Sequence, residues 1–281
     1  MPWLIGFSTF IAYPIVASLY YSFCNYDAIR SPHWVGLYNY QRLLTGDPHF
    51  WISLWNTLYM VIFGLPVSLV AGVGIALLLN QKVKGMAFYR TLYYLPAITP
   101  LVATSILWLW LFNPSIGLIN ILLQKAGVVH PPAWLLDPAW SKPALIMMGL
   151  WSVGGSMVIY LAGLQDVPQS LYEAASLDGA NSLSQFWNVT MPMLSPVILF
   201  NLIMGLIGSF QYFTQVYVMT NGGPENSTLF YALHLFNQAF LDFRMGYASA
   251  MAWVLFIITM ICTLIVLRTS MSWVYYAGEG G

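Results

Sequence analysis

Charge is what this sequence has least of. Only 6% of its 281 residues are Asp, Glu, Lys or Arg, while 59% are hydrophobic and 16% aromatic; soluble domains carry roughly 25% charged residues. The chain therefore reads as an all-α, polytopic membrane protein. Its charges balance at zero, which leaves no basic field and excludes nucleic acid as a partner class. Cys24 and Cys262 are its only cysteines. Each falls in or near a different apolar run, so they read as packing residues and say nothing of redox compartment. There is no G-x-x-x-x-G-K-[ST] loop, so ATP phosphates are not bound in the Walker manner and energy for any work comes from elsewhere. The four histidines, His33, His49, His130 and His234, lie in connections without ligand spacing. They read as solvent or interface side chains, and no metal site is expected.

What is present is a series of long apolar runs. Six transmembrane spans are expected at about 3–23, 57–79, 95–112, 144–164, 197–219 and 246–267, each near the ~20 residues that cross a bilayer. The first starts almost at residue 1, but its apolar part is too long for a cleaved leader and no A-x-A site precedes Asn25. Residues 25–55 read as a polar and aromatic connection, 113–124 as a turn plus a short interfacial helix, and 229–241 as a surface helix. Trp134 and Trp140 suit the headgroup belt. The spans hold no acid or base, which argues against an ion-coupled secondary carrier, the alternative function, and against a voltage sensor; a sodium site built from backbone stays open. Lys82, Lys84 and Arg90 crowd into nine residues. That density favours the side holding both termini as cytoplasmic.

One stretch interrupts the apolar pattern. Residues 165–196, QDVPQSLYEAASLDGANSLSQFWNVTMPMLSP, carry Asp166, Glu173 and Asp178, three of the nine acids in the chain. Inserting them would cost on the order of 8 to 10 kcal/mol, so the stretch stays outside the bilayer. Ser170 with Glu173, and Ser182 with Gln185, have capping-box spacing. A helix is expected from about Pro168 to Leu177, Gly179 ends it, and a second short helix stops at Pro192 before the next span begins near Pro196.

The pattern EAASLDGA (173–180), followed by MPMLSP, resembles the coupling loop of permease subunits in binding-protein-dependent ABC importers. YPIVASLYYSF, VGLYNYQRLL, LYYLPAITPLV, the YLAGLQDVP lead-in, TNGGP after the fifth span and the WVYY ending extend the likeness along nearly the whole chain. Together they resemble the carbohydrate-uptake branch that handles maltose, other oligosaccharides or glycerol phosphate, and within it the partner that ends in WVYY. The resemblance implies a cytoplasmic coupling helix between spans 4 and 5, in which Tyr172, Glu173, Ala174, Ala175, Leu177, Asp178 and Gly179 dock into a cleft on an ATPase. It further implies a homologous second permease, two cytoplasmic ATPase subunits that hold the ATP and Mg, and an extracytoplasmic solute-binding protein. This chain itself would hold no cofactor and perform no chemistry. It would sit as a multi-pass protein in a prokaryotic cytoplasmic (inner) membrane, among lipid, and form half of an alternating-access path for a sugar or sugar-like solute.

On the fifth span Asn201, Gly205, Gly208, Tyr212 and Gln215 recur at steps of three or four, so small and polar groups share one face. Ser209 and Gln211 flank it. Ile203, Leu206, Phe210 and Tyr217 form the bulkier opposite side. Small residues in a span serve either close helix packing or substrate contact. Hydroxyls and amides that suit a sugar favour the latter. Trp151, Gly155 and Ser156 in the fourth span resemble a second contributing segment of the family's path.

Overall fold

The computed structural model describes every residue except Lys82 and residues 276–281. Lys82 of the basic cluster and Tyr276 of the WVYY ending thus lie outside the described residues. In chain order the helices are α1 (Pro2–Ser22), α2 (Tyr38–Thr45), α3 (Pro48–Leu79), α4 (Met86–Ile98), α5 (Leu101–Leu111), α6 (Leu118–Lys125), α7 (Pro138–Trp151), α8 (Gly154–Gln165), α9 (Gln169–Leu177), α10 (Ser182–Met219), α11 (Tyr231–Phe236) and α12 (Met245–Ser270). Between α1 and α2 a short antiparallel pair, β1 (Cys24–Asn25) and β2 (His33–Trp34), closes a hairpin. Among the described residues, helices α1, α3, α10 and α12 are each long and apolar enough to cross a membrane; α4 with α5 and α7 with α8 are bent pairs, which brings the crossings to as many as six if each pair counts once.

Three expected spans differ in kind from what forms. Helix α3 starts at Pro48, well before residue 57, because Asp47 caps it: the His49 N–H donates to Asp47 Oδ1 at 2.9 Å, and Pro48 takes a first-turn position. The span expected at 95–112 is broken by 98° between α4 and α5. Thr99 precedes Pro100, which disfavours helical backbone there, and it is extended with ψ 141°. The span expected at 144–164 bends by 51° between α7 and α8. Gly154 is buried at that bend, and a Cβ on it would overlap the Tyr93 carbonyl oxygen.

The fifth span departs in the opposite sense. Neither Pro192 nor Pro196 stops a helix; α10 runs from Ser182 through both. A wide turn at Phe186–Thr190 precedes Pro192, and the Pro192 carbonyl, deprived of a partner because Pro196 has no N–H, accepts from Ser195 Oγ at 2.6 Å. Regular helix is interrupted at 211–213 before the last turns of α10.

The chain divides into two compact units. In Met1–Leu58 with Phe210–Ile261, the core holds Leu43, Phe50, Tyr231, Tyr247 and Met251. Asn56 Nδ2 donates to the Asn226 and Leu229 carbonyls at 2.8 and 3.1 Å, and the Tyr231 N–H donates to Thr57 Oγ1 at 2.9 Å. Phe230 and Leu233 are fully buried, so the expected surface helix is seated in protein by that face. In Tyr59–Ser209 with Cys262–Gly281, the core is Ala76, Leu79, Met157, Tyr160, Leu161, Leu164 and Leu194. Gly72 lets Tyr160 pack closely, and Arg90 donates to the Leu79 carbonyl at 3.0 and 3.3 Å, where a cation complements the C-terminal end of α3.

Candidate functional site

The acidic stretch folds as two helical arms with almost no slack between them. Helix α9 has Pro168 before it and no side-chain cap; Glu173 Oε1 accepts from Gln169 Nε2 at 3.0 Å instead of closing a capping box with Ser170. Its other end is a Schellman turn: the Ala180 N–H reaches the Ala175 carbonyl at 2.9 Å and the Gly179 N–H the Ser176 carbonyl at 3.1 Å, with Gly179 at φ +79°. Asn181, not Ser182, caps the next arm through its Oδ1, which accepts from the Ser184 N–H at 2.8 Å. Gln185 Nε2 then ties the arms together, donating to Ser176 Oγ at 2.9 Å and to the Ala180 carbonyl at 3.2 Å.

This frame decides which side chains face outward. Glu173, Ala174, Leu177, Asp178 and Gly179 are exposed, Leu177 at 90%. Tyr172 and Ala175 turn partly inward, and Tyr172 Oη pairs with Thr190 Oγ1 of α10 at 3.0 Å. An isolated Leu this bare costs hydration free energy, about 1.5 to 3 kcal/mol of which burial against a partner recovers. The small Ala174 beside it leaves room for close approach, and Glu173 and Asp178 supply negative charge.

The expected pathway residues are less uniform. Trp151, Gly155, Ser156, Asn201, Gly205 and Ser209 belong to one unit; Gln211, Tyr212 and Gln215 belong to the other. Gly205 serves packing, since a Cβ there would overlap Leu65 Cδ1. Asn201 is buried and donates to the Val197 carbonyl at 2.9 Å, and Ser156 Oγ donates to the Val153 carbonyl at 3.0 Å while lying against Gly72. Trp151 is half exposed and meets Trp108 edge to face, and among the described residues no atom of another segment lies within 4 Å of where a Gly155 Cβ would be. In the other unit Gln211 is exposed and Gln215 half-buried. The Tyr212 ring meets Phe230 edge to face, and its hydroxyl is buried without a hydrogen-bond partner among the described residues.

With this geometry in place, comparison with known proteins decides the family. Residues 49–277 match the family described as binding-protein-dependent transport system inner membrane components. The chain belongs to that family. It is a permease of the ABC importer type, a membrane-embedded subunit rather than an enzyme. It is 45% identical over 281 residues, 99% of this chain and 91% of the relative, to the probable ABC transporter permease protein YesP of Bacillus subtilis (strain 168). It is 37% identical to the lactose transport system permease protein LacF of Rhizobium radiobacter over 254 residues, covering 88% of this chain and 84% of that one. The fold matches a chain in the crystal structure of a bacterial ABC transporter involved in the import of the acidic polysaccharide alginate, with a TM-score of 0.84 at 22% identity, covering 97% of this chain and 93% of that chain.

Sequence reasoning missed one polar cluster of the permease. His234, read as a solvent or interface histidine, is 5% exposed, and its Nε2 meets Asp47 Oδ2 at 2.8 Å; the Tyr247 hydroxyl donates to the same oxygen at 2.6 Å. Burial pushes the Asp47 carboxyl up, but the hydrogen bonds from Tyr247 and His234, the charge of His234 and the His49 N–H outweigh it and hold the carboxyl below its ordinary value. The D-P dipeptide ahead of an apolar run was the available signal. A second omission is Ser195, buried inside α10, whose hydroxyl accepts from the Tyr275 N–H at 2.8 Å.

Proposed function

We propose that this permease forms half of the translocation pathway for a sugar or sugar-like solute, and that α9 is the helix through which ATP hydrolysis on another subunit drives it. The observation that carries the reading is the exposed face of Glu173, Ala174, Leu177 and Asp178 on a helix tied at its C-terminal end to the next arm, in a chain with no nucleotide loop of its own. Relatives named for lactose, arabinooligosaccharides and trehalose/maltose favour the sugar class. The assembly comprises a second, homologous permease, two cytoplasmic ATPase subunits that hold ATP and Mg, and an extracytoplasmic binding protein; a related alginate transporter has been crystallised with its periplasmic protein carrying an alginate pentasaccharide. The site of action is a prokaryotic cytoplasmic membrane, with α9 on its inner side. In one unit half-exposed Trp151 is the group offered to solute; in the other, taken by itself, exposed Gln211 and half-buried Gln215 are. Within the first of these units Asn201, Gly205 and Ser156 shape the surface by packing, with Ser209 on the same helix as Asn201 and Gly205, and within the other the Tyr212 ring stands against Phe230.

The test is uptake by the complex purified from native membranes and reconstituted in vesicles. Uptake should require ATP and binding protein, be blocked by vanadate and withstand ionophores; Glu173→Lys should abolish it while the subunits still co-purify. Uptake that collapses with the ion gradient and ignores vanadate assigns the chain to ion-coupled carriers instead.

A further inference from the structure

The last described residues of the chain return to the coupling helix. Beyond Ser270 the backbone turns on itself, with the Trp273 and Val274 N–H groups donating to the Ser270 carbonyl at 3.1 and 2.8 Å. The next residue reaches across the unit: the Tyr275 N–H donates to Ser195 Oγ at 2.8 Å. Ser195 is 3% exposed, and its own proton goes to the Pro192 carbonyl at 2.6 Å. One hydroxyl therefore serves as acceptor for the tail and as donor to the carbonyl that Pro196 leaves free. A buried hydroxyl used in both senses fixes its partners more tightly than either bond alone.

Tyr275 lines a pocket of about 310 Å³ whose other walls are Leu171 of α9 and Asn188, Val189, Pro192 and Met193 of α10. On the same two helices, Tyr172 Oη and Thr190 Oγ1 pair at 3.0 Å. Tail, coupling helix and the foot of α10 thus border one pocket, with the foot of α10 bonded to each of the other two. Among the described side-chain hydrogen bonds of α9, the Tyr172 bond is the one that reaches α10 itself beyond the Gln185 tie.

We propose that Ser195 and Tyr275 are positioning residues that hold the tail against the foot of α10 where it borders α9, so that displacement of the coupling helix passes into the fifth span instead of being lost as rocking of α9. The proposal rests on the importer reading given above. Two variants separate its parts. Ser195→Ala removes the acceptor, and Tyr275→Pro removes the donor N–H in a tail residue outside the spans; Tyr275→Phe keeps both the N–H and the ring. In the reconstituted complex, hydrolysis stimulated by the loaded binding protein is divided by basal hydrolysis. The expected result is a fall in this ratio of about fivefold, the lower end of usual coupling between sites, for Ser195→Ala and Tyr275→Pro, with basal hydrolysis and subunit composition unchanged and Tyr275→Phe like wild type. Hydrogen exchange of the α9 amides in the same complexes should quicken in the first two variants alone. A wild-type ratio and wild-type exchange in Tyr275→Pro overturn this positioning role, even if Ser195→Ala fails to assemble. A wild-type complex that shows no binding-protein-stimulated hydrolysis overturns the importer reading, and the exchange measurement then still decides the positioning role.

Discussion

The second unit contains the same five-residue pattern twice, with opposite outcomes. Pro96–Pro100 reads P-A-I-T-P and Pro192–Pro196 reads P-M-L-S-P. In both, the hydroxyl residue before the second proline donates at 2.6 Å to the carbonyl of the first, the group that lost its helical partner. Yet the chain bends by 98° at the first and continues as helix α10 through the second. Thr99 is β-branched, exposed and extended, and its hydroxyl also pairs with Thr104 of the next helix at 2.8 Å. Ser195 is slimmer and buried, and it is held from outside by the Tyr275 N–H. Local pattern thus decides how a lost hydrogen bond is repaired, while packing decides whether the helix survives the repair.

If packing holds the bends, the largest effect should come from a residue with no proline beside it. Gly154→Ala pushes a methyl into the Tyr93 carbonyl; a loss of about 3 kcal/mol is expected, seen as a sharp drop in the thermal midpoint of the detergent-solubilised complex. A cost below about 1 kcal/mol would mean that the α4 and α8 backbones part easily. Next comes Asp47, where a charged acceptor replaces the neutral carbonyls of the proline pair. Asp47→Asn should cost about 2 kcal/mol near neutral pH. Because the folded-state pKa lies below the unfolded value of about 3.9, the carboxylate stabilises above that value and its contribution is lost as pH falls through the folded pKa. The wild-type advantage over Asp47→Asn should therefore be flat near neutrality and vanish in acid, and a pH-independent difference would assign the loss to shape alone.

Ser195→Ala and Thr99→Ala probe the comparison directly. Ser195→Ala strands a part-buried carbonyl and the tail N–H and should cost about 1 to 2 kcal/mol, whereas exposed Thr99→Ala should cost about 0.5 kcal/mol. Spin-label distances across the 99–100 break should stay unchanged in Thr99→Ala, and straightening of that segment would show that the hydroxyl holds the bend. The smallest effect belongs to Tyr212→Phe. Its hydroxyl is buried with no partner among the described residues, so removal should be neutral or stabilising by up to about 1 kcal/mol, with uptake retained because the ring remains. A measurable loss would reveal a partner that forms in another state of the transport cycle.

The apolar runs and the acidic stretch were legible because each has a local cause: bilayer thickness sets the first and the cost of inserting Asp166, Glu173 and Asp178 sets the second. The Gly179 stop was legible for the same reason, since a left-handed turn selects glycine. Prolines were misread in both directions: the span expected at 95–112 breaks before Pro100, and the helix expected to stop at Pro192 runs on through it, in a setting that includes Tyr275 from far along the chain. His234 was opaque for a similar cause: its partner Asp47 is 187 residues away, and nothing in the spacing of histidines marks it. Of the expected pathway face, helical periodicity grouped Asn201, Gly205, Tyr212 and Gln215, but the interruption at 211–213 ends the register on which that grouping depended.

Continuity of α10 through its two prolines has a mechanical meaning. From Ser182 to Ser209 the chain lies in a single unit and a single helix, a rod of about 40 Å at 1.5 Å per residue. A tilt of about 5° at its foot sweeps the far end through roughly 3.5 Å, near the width of a water molecule, if the helix moves as one piece. Small angular play at the base of this rod is therefore amplified along its length into a displacement of atomic size.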